Sequence, residues 1–154
     1  MLRPGDLAPE FTLYDTNKKP VALASLRGRK VVLLFFPLAF TSVCTAELCG
    51  VRDNIHVYNE LNAEVYGISV DSPQSLARFR QEQQLNFALL SDFNREASEA
   101  YGVLYERFGW MKAVSKRAAF VIDADGRIVY LEVLENAGEL PDFEAIQQAL
   151  RKAR

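Results

Sequence analysis

The chain of 154 residues carries only two cysteines and one histidine. A structural zinc site wants four nitrogen or sulfur ligands, so Cys44, Cys49 and His56 together fall short, and a zinc centre is disfavoured. No apolar run approaches the roughly 20 residues that span a bilayer, and nothing at Met1-Leu-Arg-Pro-Gly5 resembles the apolar core of a signal peptide. No charge of one sign dominates either. Eighteen basic against twenty acidic residues leave a net charge of -2, which gives no field for nucleic acid or an anionic membrane. These absences predict a soluble cytoplasmic protein whose partner is a small molecule or another protein. In that reducing compartment a cysteine pair is expected to be catalytic rather than a permanent staple.

The 49% hydrophobic content suits one compact domain spanning residues 1–154, and no internal repeat or low-complexity segment divides it. Glu10 to Tyr14, a turn from Thr16 to Pro20, and Val21 to Leu23 read as an N-terminal β-hairpin. The continuous apolar run Val31 to Phe36 reads as a buried strand ended by Pro37. A helix is predicted over Thr41 to Asn62, and a second buried strand over Glu64 to Val70, which makes a βαβ unit. Ser72 as N-cap with Pro73 at the first helical position starts a polar helix to about Gln84. There follow a brief strand at Phe87 to Leu90, a short helix from Arg95 to Tyr101 closed by Gly102, and a hairpin of Ala118 to Ile122 with Arg127 to Leu134, turning at Asp125-Gly126. The last element is a helix over Asp142 to Lys152 with Phe143, Ile146, Ala149 and Leu150 on one face. Phe35, Phe36, Phe40, Trp110 and Phe120 are assigned to the core, with Phe40 able to line a substrate entrance. The whole predicts an α/β fold with a central mixed β-sheet flanked by helices.

Cys44 and Cys49 lie just past the first buried strand, and Cys44 falls in the first predicted helical turn. Helix N-termini and neighbouring arginines favour the thiolate, which is the nucleophilic form of cysteine. The spacing points to thiol redox chemistry. Cys-x-x-Cys is absent, which disfavours a dithiol oxidoreductase acting on protein disulfides.

Pro37, Thr41 and Cys44 match Pro-x-x-x-Thr-x-x-Cys, and the chain here resembles the peroxiredoxins. The likeness covers nearly all of the sequence, through Gly5-Asp6-x-Ala8-Pro9-x-Phe11, Gly67-Ile-Ser-Val-Asp71, Phe87-Ala-Leu-Leu-Ser-Asp92, Tyr101-Gly-Val103 and Arg117-Ala-Ala-Phe-Val-Ile-Asp123. Cys49 with Gly50-Val-Arg-Asp-Asn54 is similar to the bacterioferritin comigratory protein branch. Pro37-Leu-Ala-Phe-Thr41 and Glu47 are similar to the alkyl hydroperoxide reductase E branch, which usually lacks a cysteine at the position of Cys49. The resemblance implies a thioredoxin-like fold and a thiol-dependent peroxidase for hydrogen peroxide and alkyl hydroperoxides that needs no metal or organic cofactor. It implies Cys44 as the peroxidatic cysteine, Arg117 as the matching arginine, and a thioredoxin-like reductant. Relatives of this type occur as monomers and as dimers, so a homodimer stays open.

Cleaving an O–O bond in line requires a thiolate and donors for the departing oxygen. Thr41, the guanidinium of Arg117 and the backbone amides of Val43 and Cys44 are the candidate donors. Pro37, with no amide hydrogen and a restricted φ, is expected to shape the pocket and shield the sulfenic acid. Glu47, one turn past Cys44, is expected to fix the angle of Arg117. Thr41 or Ser42 could equally be a helix cap, Arg117 a surface charge beside Lys116, and Asp123-Ala-Asp125-Gly126 is a turn rather than a calcium loop.

On an ideal helix, residues five apart have Cα atoms roughly 8 to 9 Å apart. A disulfide needs about 7 Å or less, so a bond between Cys44 and Cys49 demands local unwinding. Gly50 lowers the cost of that opening by roughly 1 kcal/mol relative to alanine. The expected cycle resolves a Cys44 sulfenic acid through Cys49. A one-cysteine cycle with an external thiol, and a redox sensor or holdase whose opening helix exposes apolar surface, remain as alternatives.

Overall fold

The computed structural model describes all residues from Met1 to Arg154. Its centre is the apolar segment that the sequence marks: β3 (Lys30–Phe35) lies between β4 (Ala63–Ser69) and β8 (Arg117–Ile122), and Val31 to Phe36 are at most 1% exposed. Strands buried on both faces carry no polar alternation, which is why the run is continuously apolar. The sheet has seven strands in the order β2-β1-β5-β4-β3-β8-β9, where β1 is Thr12–Asp15, β2 Pro20–Ala22, β5 Ala88–Ser91 and β9 Ile128–Leu134. The β3, β4 and β5 pairings are parallel; β8 and β9 run antiparallel on one side and the β1–β2 hairpin antiparallel on the other. The N-terminal hairpin therefore extends the same sheet through β5.

One face is covered by four helices: α1 (Ser42–Asp53), α2 (Ile55–Glu60), α3 (Pro73–Glu82) and α5 (Phe143–Lys152). They bury Leu48, Val51, Tyr58, Leu76, Phe79, Ile146 and Leu150 against Val32, Leu34 and Leu89. The other face packs Leu33, Phe35, Ile68 and Phe120 against Phe11, Leu13 and Tyr101, beside the short α4 (Glu96–Ala100). Gly67 lets β4, β5 and α1 close together: a Cβ there would sit 2.7 Å from a Leu89 methyl and 3.7 Å from one of Leu48.

Local signals explain most boundaries. The Ser72 hydroxyl accepts from the amide of Ser75 at 3.2 Å with Pro73 at the first turn, and the Asp142 carboxylate caps α5 through the amide of Ala145 at 3.0 Å. Asp123 Oδ1 accepts from the amides of Asp125 and Arg127, and Gly126 sits at φ 83°, forming the β8–β9 turn.

Three expectations are corrected. The segment Thr41 to Asn62 is two helices, not one; the chain breaks at Asn54 (φ -119°, ψ 17°), whose side-chain amide donates to the carbonyl of Gly50 at 2.9 Å. Such local competition by asparagine with the helical ladder is invisible to periodicity. Trp110 is not core: it is 85% exposed at the tip of a small hairpin of β6 (Arg107–Phe108) and β7 (Met111–Lys112). Phe40 is also half exposed, at 52%, while Phe35, Phe36 and Phe120 are buried as expected. No helix is long and apolar enough to cross a membrane.

Candidate active site

The carboxyl end of β3 runs through Phe36 and Pro37 into the loop Leu38–Thr41 and then α1, so Cys44 is delivered to the rim of the sheet where the parallel strands end. Open α/β sheets place ligands at this rim. Because β8 is antiparallel to β3, its first residue, Arg117, starts beside that end, next to the Phe35–Ala118 pair. Residues 44 and 117, 73 apart in sequence, thereby meet.

Both terminal guanidinium nitrogens of Arg117 donate to Cys44 Sγ at 3.3 Å. Nη1 also donates to Glu47 Oε1 at 2.6 Å, and Nη2 to the carbonyl of Ala137, in the loop after β9, at 2.9 Å. The planar fork is thus held from α1 and from the loop while facing the sulfur, an arrangement lysine cannot copy. Cys44, Glu47 and Arg117 are all at most 1% exposed. Arg117 Nε and Glu47 Oε2 have no hydrogen-bond partner.

Burial pushes the Glu47 carboxyl up to about 7, although the charge and hydrogen bond of Arg117 pull the other way; the charge of Glu132 adds to the rise. Burial opposes the charge on Arg117, but Glu47 and Cys44 outweigh it and move the guanidinium upward, so it stays protonated. A permanent cation with two N–H bonds to one sulfur is the environment that an anionic nucleophile requires.

Pro37 is buried at the end of β3. Thr41 occupies the N-cap position in extended geometry but makes no side-chain bond to the helix amides; its hydroxyl donates to the carbonyl of Leu38 at 2.8 Å, so its oxygen is left as an acceptor. The amides of Val43 and Cys44 lie in the first helical turn, where N–H groups have no intrahelical acceptor. Cys49 is apart from this group. It is half-buried further along α1, and its thiol donates to Gln83 Oε1 at 3.5 Å, while Arg52 donates to the carbonyl of Gln83 at 2.6 Å. The structure therefore brings Cys44, Glu47 and Arg117 together and leaves Cys49 on a separate contact. Sequence reasoning missed two contributors. Ala137 acts through its carbonyl and leaves no sequence signal, and Gln83 stands out only as a polar residue ending α3.

The AhpC/TSA family model matches residues 4–131. Peroxiredoxin Bcp of Escherichia coli (strain K12) is 39% identical over 132 residues, 84% of this chain and 85% of that protein. Among solved structures, the peroxidoxin BcpB of Mycobacterium tuberculosis superposes with a TM-score of 0.88 at 31% identity, covering 100% of this chain and 99% of that one. A peroxiredoxin-like protein of Aquifex aeolicus gives 0.88 at 26%, over 98% and 87%. These likenesses span the β3–α1 and β8 segments that carry Cys44 and Arg117, and the fold is the thioredoxin-like one of peroxiredoxins. The chain belongs to the AhpC/TSA family, the thiol-dependent peroxidases called peroxiredoxins.

Proposed function

We propose that Cys44 is the atom-transfer centre of this peroxidase, Arg117 its electrostatic partner, and Cys49 the thiol that resolves the product. The observation that carries the reading is the pair of 3.3 Å bonds from the buried Arg117 fork to Cys44 Sγ. The Cys44 thiol releases its proton to solvent, the thiolate attacks one peroxide oxygen and the O–O bond breaks, giving a sulfenic acid and an alkoxide or hydroxide that takes a proton back from solvent to leave as alcohol or water. Arg117 and the amides of Val43 and Cys44 are the donors for the developing charge. Pro37 and Thr41 shape the rim, and Glu47 sets the angle of Arg117. The sulfur of Cys49 then attacks the sulfenic sulfur, water departs, and a thioredoxin-like dithiol reduces the disulfide.

Both cysteines are free and lie on the continuous helix α1, where ideal geometry separates their Cα atoms by roughly 8 to 9 Å. That separation exceeds disulfide reach, so the cycle needs the first turns of α1 to unwind and Cys49 to leave Gln83. The same intact helix favours a second reading, in which Cys44 alone cycles and an external thiol resolves it.

Rapid-quench mass spectrometry after one equivalent of peroxide decides between them. Wild type is expected to lose two hydrogens and yield a peptide crosslinked between 44 and 49. Cys49→Ser is expected to stop at a sulfenic acid on Cys44, and Cys44→Ser to consume no peroxide. A sulfenate that persists in wild type selects the one-cysteine cycle, and full activity in Cys44→Ser overturns the assignment.

A further inference from the structure

The loop Leu38–Thr41 that leads into α1 is held in an unusual shape. Phe40 stands at φ 67°, a left-handed conformation that disfavours a bulky side chain, with its half-exposed ring edge-on to Phe79 at 5.2 Å. Strained backbone persists only where its surroundings over-determine it. Most bonds of this loop are local: Thr41 hydroxyl to the Leu38 carbonyl, and the Thr45 amide and hydroxyl to the Thr41 carbonyl. One bond reaches across the fold. The amide of Ala39 donates to Asp71 Oδ2 at 2.8 Å, tying the loop to the segment after β4.

Asp71 is itself anchored. Its Oδ2 accepts at 2.7 Å from the hydroxyl of Ser69, which is fully buried; its carbonyl accepts from the Ser91 hydroxyl at 2.6 Å, and its amide donates to Ser69 Oγ at 3.3 Å. The carboxylate is therefore aimed at Ala39 by groups at the ends of β4 and β5. It makes no hydrogen bond to either sulfur or to the Arg117 fork, whose partners are Cys44, Glu47 and Ala137. Ala39 sits between Pro37 and Thr41, the residues assigned to the peroxide rim.

We infer that Asp71 is a positioning residue for peroxide capture: by holding the Ala39 amide it keeps the Pro37–Thr41 loop in the geometry that receives the oxidant, and its release accompanies the unwinding that lets Cys49 reach Cys44. The inference rests on the Cys44–Cys49 reading and adds to it a control outside the reacting atoms. Without the clamp, the loop relaxes from the left-handed turn at Phe40. Capture should slow and opening should speed up, a split that a general loss of packing does not produce.

The test measures two constants by rapid-quench alkylation and mass spectrometry: the second-order rate of Cys44 sulfenic acid formation and the peroxide-independent rate of disulfide formation. Asp71→Ala is expected to lower the first by about tenfold, the scale of one lost charge-assisted hydrogen bond, and to raise the second. Asp71→Asn keeps a carbonyl oxygen for the same two donors and is expected to restore both to within about threefold. Ser69→Ala, which removes the aiming hydroxyl but leaves the carboxylate, is expected to move both constants in the Asp71→Ala direction by less, and it decides the matter should Asp71→Ala fold poorly. An unchanged capture rate in Asp71→Ala and Ser69→Ala, or a fall of both rates together, overturns the inference. Failure of wild type to oxidise at Cys44 overturns the underlying reading instead. Should wild type oxidise at Cys44 and form no disulfide, the capture rate alone decides.

Discussion

Glu47 gives the site a dependence on pH whose sign follows from its burial. The folded carboxyl holds its proton up to about pH 7, whereas in the unfolded chain it titrates near 4.5. Between those values the folded state binds more proton than the unfolded state, so stability falls as pH rises through the window. The contribution is complete below about 4.5 and gone above about 7, with a total on the order of 3 kcal/mol. Denaturant unfolding of wild type and Glu47→Gln from pH 4 to 8 checks this: the difference between them should decline over the window, and a flat difference refutes it. Cys44, Glu47 and Arg117 were legible as residues because each is tied to a motif or a helical offset from one. Ala137 was not, because a backbone carbonyl can belong to any residue. Asp71 stood within the Gly67-Ile-Ser-Val-Asp71 resemblance, yet nothing local to it says that its acceptor oxygen meets an amide 32 residues earlier.

At the scale of elements, the contact between β4 and α1 decides how firmly the helix that carries Cys44 is seated. Gly67 has no side chain to separate them, and an added Cβ would meet the Leu89 methyl at 2.7 Å and Phe36 Cε1 at 3.3 Å before reaching Leu48. Gly67→Ala is therefore expected to lower stability by about 1 to 3 kcal/mol through overpacking, read as a shifted urea midpoint at unchanged slope. An equal or higher midpoint would mean that these side chains yield freely. Strand and helix types were readable from apolar runs and caps, and Ser72-Pro73 and Asp125-Gly126 acted as the chemistry of their side chains dictates. Two features were not readable. The break at Asn54 depends on its amide choosing the Gly50 carbonyl, and the β6–β7 hairpin is too short for any alternation to register.

The whole molecule is a sheet whose parallel strands deliver their carboxyl ends to one rim, with β8 laid antiparallel so that Arg117 arrives there too. The mixed sheet was expected from the order of elements. The fusion of the N-terminal hairpin onto β5 was not, since strand order is set by pairing between segments some 75 residues apart. The continuity of α1 between Cys44 and Cys49 has a consequence at this scale. On the proposed cycle only the dithiol form keeps that helix whole, so its conformational free energy is part of the reduction potential of the couple. Stabilising the reduced form by 1.4 kcal/mol makes the disulfide about 30 mV more oxidising. Gly50 is exposed with open space around its missing Cβ, and Gly50→Ala adds about 1 kcal/mol of helix propensity there. The midpoint against a dithiothreitol or thioredoxin buffer should rise by roughly 20 mV; an unmoved midpoint would mean that electron transfer and coil content are not coupled in this protein.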